Sequence, residues 1–179
     1  MKRPPAPGLD RLNQLPPAQA ERELLACCGS RRWAAELTAA RPLPTRGDLL
    51  DAAERTWWAL HRTDWDEAFA AHPRIGERAA ADGTARREQQ GVATAAPSTL
   101  AELAEGNRRY EERFDRVFLI CATGRSAEEM LRELRRRLRN DDDDELREAA
   151  REQARITRLR LERLLDGAKE GGTRPPSHP

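Results

Sequence analysis

Valine and isoleucine are scarce in this chain, and nowhere do enough uninterrupted apolar residues follow one another to span a bilayer. The first shortage argues against a thick sheet sandwich, which draws on β-branched side chains. The second excludes a membrane-spanning helix. An excess of one sign of charge is also missing: 32 basic and 31 acidic side chains leave a formal net charge of +1, which removes the overall attraction that drives most nucleic-acid binding. Cysteine is limited to Cys27, Cys28 and Cys121, an odd set without metal-ligand spacing, so reduced structural thiols are expected and no metal site. The opening Met1-Lys2-Arg3-Pro4-Pro5 leads into no apolar stretch of the kind that exports a chain. Together these absences describe a cytoplasmic protein with neither a membrane nor a nucleic acid as partner.

What the chain has instead is alanine and charge. Of its residues 38% are hydrophobic, many of them alanine, and 35% are charged, a balance that suits thin, closely packed helices. A length of 179 residues suits one core with short tails. The expected fold is all-α: a single compact multi-helix domain over residues 9–167, with a flexible tail over 1–8 and a disordered one over 168–179.

Turn and cap residues divide that domain. Gly29 stops a helix over 18–28, and Ser30 caps the next, which carries Trp33, Ala34 and Leu37 and must end before Pro42. Thr45 and Asp48 make a capping-box-like start for a third helix with Leu49, Ala53, Trp57 and Leu60 on one stripe. A fourth, from Thr63, leads to His72. Between Glu77 and Pro97 the periodicity fades into a long loop around a short helix. Ser98 is placed to cap a fifth helix, after which Phe114 to Ala122 is an apolar run, either buried helix or extended chain. Ser126-Ala127-Glu128-Glu129 is a capping box opening a helix with Met130, Leu131, Leu134 and Leu138 on one face. Asp141 to Asp144 stand just before the last helix, where the dipole favours negative charge, so capping explains them better than a cation. The last helix runs to Asp166 with Gly167 as its stop.

Three polar groups stand out against this frame. His72 follows Phe69, Ala68 and Trp65 at three, four and seven residues, so its ring falls on the apolar face where Pro73 ends the helix and Gly76 permits a further turn. Such a ring is either a capping histidine of the core or an acid–base group whose charge changes near neutral pH. Arg160 lies four residues from both Ile156 and Leu164, inside the apolar stripe of the last helix, and Gln153 shares that face. A guanidinium there either pairs internally or binds a polar ligand. Glu88, in the loop leaving the His72 corner, would raise the ring's pKa if it approached it. Two rival readings remain. Arg132, Arg135, Arg136, Arg137 and Arg139 crowd one helix and could face nucleic acid, although interleaved acids fit a solvated face; a helical scaffold without catalysis is the other.

His72-Pro73-Arg74-Ile75-Gly76, then Glu88-Gln89, then Phe118-Leu119-Ile120-Cys121-Ala122 with Gly124-Arg125-Ser126, then Glu152, Ile156 and Leu159-Arg160-Leu161, in that order and spacing, resemble the 2-oxo-4-hydroxy-4-carboxy-5-ureidoimidazoline (OHCU) decarboxylases of the urate pathway, in their bacterial type. The similarity reaches back through Leu12-Asn13 and Cys27-Cys28-Gly29-Ser30-Arg31-Arg32-Trp33 and so covers nearly everything but the tails. The resemblance implies an all-helical enzyme that needs no cofactor and converts this small molecule to (S)-allantoin and carbon dioxide. It implies that His72 is the proton donor, Glu88 its acidic partner and Arg160 the arginine of the site. It also implies substrate contacts, largely through backbone, from Pro73, from Ala85, Arg86, Arg87 and Gln89, and from Phe118, Leu119, Ile120, Cys121 and Ala122. Many relatives have serine at Ala85, so one hydroxyl contact would be missing here. Relatives are often dimeric, which leans toward a homodimer.

Overall fold

A computed structural model describes residues 7–76 and 83–167; the expected tails fall mostly outside that range. Every regular element among the described residues is helical, as the composition implies: α1 (Pro7–Gln14), α2 (Pro17–Cys27), α3 (Arg31–Ala39), α4 (Arg46–Ala59), α5 (Arg62–Ala70), α6 (Gly83–Glu88), a 3-10 turn (Gln90–Val92), α7 (Pro97–Phe114), α8 (Ala127–Arg137) and α9 (Asp142–Gly167). The described residues form two compact units, one up to Leu60 together with those from Thr157 onward, the other between His61 and Ile156. No helix among the described residues is long and apolar enough to cross a membrane.

In the first unit, Pro17 occupies the first turn of α2, where its missing N–H leaves no hydrogen bond unmade. Ser30 caps α3 as its position predicts, its Oγ accepting from the Trp33 amide at 3.3 Å. Thr45 Oγ1 accepts from the Asp48 amide at 3.1 Å and donates to the Asp48 carboxylate at 2.7 Å. The capping exchange is therefore hydroxyl to carboxylate, not through the Thr45 backbone. Leu9, Leu12, Leu24, Leu37 and Leu49 are wholly buried, as is Trp33, whose indole N–H donates to Ala53 O at 2.9 Å and ties α3 to α4. Gly8 is needed for close approach: a Cβ there would lie 2.1 Å from the backbone oxygen of Leu165. Gly8→Ala is therefore expected to destabilise the fold by about 1–3 kcal/mol, the usual range for overpacking, seen as a lower urea midpoint at unchanged slope.

The second unit has its own core, in which Leu103, Tyr110, Phe114, Phe118, Ile120, Met130 and Leu134 join α7, α8 and the segment between them. The Tyr110 ring stands 4.8 Å from Phe114 and, edge-on, 5.3 Å from Phe118. Gly106 lets α7 meet α8, since a Cβ there would fall 2.5 Å from Leu134 Cδ2. Contrary to expectation Ser98 does not cap α7. The helix starts at Pro97, whose ring fixes φ and which has no N–H to satisfy, so the cap position falls on Ala96. Ser126 and Glu129 do form the capping box of α8, at 3.2 and 2.8 Å.

At the start of α9, Asp141 Oδ1 accepts from the Asp144 amide at 2.8 Å, and Asp142 is bonded by Arg116 at 2.7 Å and by Arg62 at 3.0 Å. Asp141 caps, as expected, and Asp142 in addition pairs with two arginines. Burial works against the charge of Asp142, but the hydrogen bonds from Arg116 and Arg62 outweigh it and hold its carboxyl below its ordinary range. A depressed carboxyl contributes stability that is complete above the unfolded value near about pH 4 and is lost as pH falls through the folded one. Asp142→Asn should accordingly narrow the gap between melting temperatures at neutral and strongly acidic pH, and an unchanged gap would refute the pairing.

Two details depart from the sequence reading. On α9 it is Leu165, 1% exposed, and not Leu164 that is buried. Arg132, Arg135 and Arg136 on α8, and Arg139 just beyond it, are exposed as a solvated face requires, but Arg137 is wholly buried. Its position continues the row of Met130 and Leu134 at helical spacing, so it turns into the core. The described residues contain no lysine, the chain's two standing at Lys2 and Lys169, so arginine takes its place in ion pairs such as Arg46 with Asp166 at 2.8 Å.

Candidate active site

The second unit holds the His-Pro-Arg-Ile-Gly corner. α5 ends at Ala70, and the His72 amide closes the last turn onto Phe69 O at 3.1 Å, placing the ring at the helix end as Pro73 dictates. Gly76 takes φ +88°, the left-handed turn that favours glycine. Four residues of the bend are pinned. His72 Nε2 meets Gln153 Oε1 at 2.8 Å, a bond made by the form of the ring with a hydrogen on Nε2, since a carboxamide oxygen only accepts. Arg74 forks onto Glu111 at 2.5 and 2.7 Å. Ile75 O accepts from Asn107 Nδ2 at 2.9 Å, and the Gly76 amide donates to Gln89 Oε1 at 3.0 Å. Gln153 is wholly buried, so the imidazole has a rigid partner on α9.

Beside Gln153 stands Glu152, 5% exposed, whose Oε2 accepts from the Cys121 amide at 2.7 Å. Two consecutive α9 side chains thus hold the histidine corner and the apolar run. That run is not helical. α7 stops at Phe114 because Asp115 enters the left-handed region at φ 51°, and Val117 to Ala122 follow without regular structure. Phe118, Leu119, Ile120 and Ala122 are buried, while Cys121 is half-buried. Burial, then the Glu152 charge, pushes the Cys121 thiol above its ordinary range; the Thr123 amide and Arg125 oppose this, and Glu88 adds to the rise. Iodoacetamide should therefore alkylate Cys121 at pH 8 more slowly than a free cysteine, with a rate that keeps climbing above pH 9; a rate matching free cysteine would refute this environment.

The remaining expected site residues fall as follows. Glu88 is the half-buried last residue of α6, close enough for its charge to act on Cys121. Arg86 and Arg87 are exposed, and Arg87 turns back to Gly83 O at 3.0 Å. Ala85 lies within α6, Pro73 is half-buried, and the carboxamide oxygen of Gln89 is taken by Gly76. Arg160 is half-buried on α9, in the part belonging to the first unit. Among the described residues no group of three or more His, Cys, Asp or Glu side chains could hold a metal ion. Sequence reasoning left three contributors without a role: Gln153, visible only as a polar residue on an apolar face; Glu152, quoted without a task; and Arg137, assigned to the surface.

Residues 13–162 match the model of the OHCU decarboxylase family. The chain belongs to that family. It is 38% identical over 157 residues to the "Uric acid degradation bifunctional protein TTL" of Arabidopsis thaliana, an alignment covering 83% of this chain and 48% of that protein, so the chain spans about half its length. Over 138 residues it is 29% identical to the "2-oxo-4-hydroxy-4-carboxy-5-ureidoimidazoline decarboxylase" of Amia calva, covering 74% of this chain and 79% of the relative. A crystal structure of an OHCU decarboxylase in the presence of (S)-allantoin superposes with a TM-score of 0.72 at 39% identity, over 80% of this chain and 97% of the other. For an OHCU decarboxylase family member, the pinned His72 corner is the natural place to look for chemistry.

Proposed function

We propose that the chain decarboxylates OHCU to (S)-allantoin and carbon dioxide, as a carboxy-lyase that needs no cofactor. The observation that carries this reading is the His72–Gln153 bond at 2.8 Å, an imidazole immobilised by a buried amide at a rigid corner of an OHCU decarboxylase fold. The substrate's name states its chemistry: a carboxylate and a hydroxyl on C4, a ureido group on C5, and a ring C=N beside them. Breaking the bond from C4 to the carboxylate sends its electron pair toward that C=N and leaves an enol. A proton added to C5 on one face then gives a single enantiomer as the C4 hydroxyl becomes a carbonyl. The protein's task is to orient the ring and deliver that proton.

His72 supplies the proton, with Glu88 as its acidic partner. Arg160 binds the anionic or ureido end by directed hydrogen bonds. The 118–122 run contacts the substrate through its backbone, and so does Pro73. The test is to generate the substrate in situ from urate with urate oxidase and hydroxyisourate hydrolase and to follow the circular dichroism of the allantoin formed. A fast rise of the (S) signal that depends on the protein is expected. Slow, racemic product at the rate of the protein-free control would overturn the proposal.

A further inference from the structure

Arg137 is among the largest wholly buried side chains of the described residues, and each nitrogen of its guanidinium has a partner. Nη1 donates to Leu119 O at 2.6 Å, while Nε and Nη2 reach Glu145 Oε1 at 2.8 and 2.5 Å. The Tyr110 hydroxyl donates to that same oxygen at 2.5 Å, and Glu145 Oε2 accepts from Asn140 Nδ2 at 2.9 Å. The guanidinium plane lies 4.8 Å from the centre of the Phe118 ring. Glu145, like Arg137, has no exposed surface.

A pair buried this deeply is a poor source of stability, because apolar side chains of the same volume commonly serve as well or better. What an apolar replacement cannot supply is a directed donor to the Leu119 carbonyl. The peptide joining Leu119 to Ile120 is trans and planar, so fixing Leu119 C=O toward Arg137 fixes Ile120 N–H in the opposite direction. One peptide further on, Glu152 fixes Cys121 N–H and thereby turns Ile120 C=O away from Glu152. Ile120 is thus held between two clamped neighbours, and among the described residues its own N–H and C=O take no hydrogen bond.

We infer that Arg137, braced by Glu145 and Tyr110, is a positioning residue that sets the Ile120 peptide edge for a cyclic ureide, whose adjacent N–H and C=O such an edge can pair. The inference rests on the decarboxylase reading. Glu152 is the second clamp on the same run. Arg137 does not touch the substrate, and its influence passes through one carbonyl.

The experiment compares Arg137→Met, which keeps bulk but no donor, with Arg137→Lys, which keeps one. Steady-state kinetics on OHCU generated in situ are combined with amide hydrogen exchange at Cys121. In Arg137→Met the KM is expected to rise about tenfold with kcat changed less, and Cys121 exchange to quicken by a similar factor, while the (S) excess persists. Arg137→Lys should fall between Met and wild type on both readouts. Unchanged KM and unchanged exchange in a folded variant would overturn the inference, as would a fall in kcat alone. Failure of both variants to fold would assign the pair to stability only and overturn it equally. If the wild-type chain proved inactive, the decarboxylase reading would fall and the substrate part of the inference with it, whereas the exchange data would still decide whether Arg137 clamps the run.

Discussion

Replacing His72 with alanine is expected to lower kcat/KM by about 10²- to 10⁴-fold, the usual worth of a positioned acid–base group, and to erase the (S) excess of whatever product remains. The loss should be chemical and not conformational. The corner keeps its other pins, with Arg74 on Glu111, Ile75 O on Asn107 and Gly76 on Gln89, so the variant has every reason to fold. Once the ring is gone, the C5 proton must come from water, which can reach either face of the intermediate. Both readouts come from one dichroism trace, the rate from its slope and the selectivity from its final amplitude. A folded His72→Ala protein that matched wild type in both would remove the histidine from the mechanism.

The second large effect should come from a residue without a side chain. Gly91 lies in the 3-10 turn, and a Cβ there would sit 1.9 Å from the backbone oxygen of Arg125 and 3.3 Å from Cα of Ser126. Neither is a flexible side-chain tip, so the two backbones must separate. On one side of this contact are Glu88 and Gln89, immediately before the turn; on the other is the bend at Gly124, where φ is +79°, just beyond the Phe118–Ala122 run. A shift of about 1 Å between groups that must share one substrate commonly lowers activity by about 10²-fold, and Gly91→Ala should reach that order in kcat/KM while helical content is retained. Gly83→Ala is the control, because a Cβ there meets nothing within 4 Å. Equal activity in the two variants would refute the argument.

Helices and their starts were legible because local chemistry decides them: Ser30 and Ser126 act as their positions suggest. Ser98 misled because a serine near a helix start looks like a cap until the proline before it is given priority. The apolar run could not be assigned from its letters, since short buried segments carry no period; it was settled by Asp115 in the left-handed region and by hydrogen bonds from Arg137 and to Glu152, which lie far along the chain. The histidine at its bend was readable for the same local reasons as the caps. Its partner was not, because Gln153 is 81 residues away and an amide on an apolar face does not say what it meets. Arg137 was misassigned in the same way: a charged letter among charged letters looks solvated until the helix is seen to turn it inward.

Restricting every cation of the described helices and loops to guanidinium or imidazole has a consequence for the chemistry itself. Neither group condenses with a carbonyl under physiological conditions, so the primary amine from which a protein could build a covalent iminium is absent from these parts of the chain. In the decarboxylation proposed above, electrons released with the carboxylate would therefore meet no Schiff base supplied by these helices and loops, and His72 and its neighbours would act through hydrogen bonds and proton transfer.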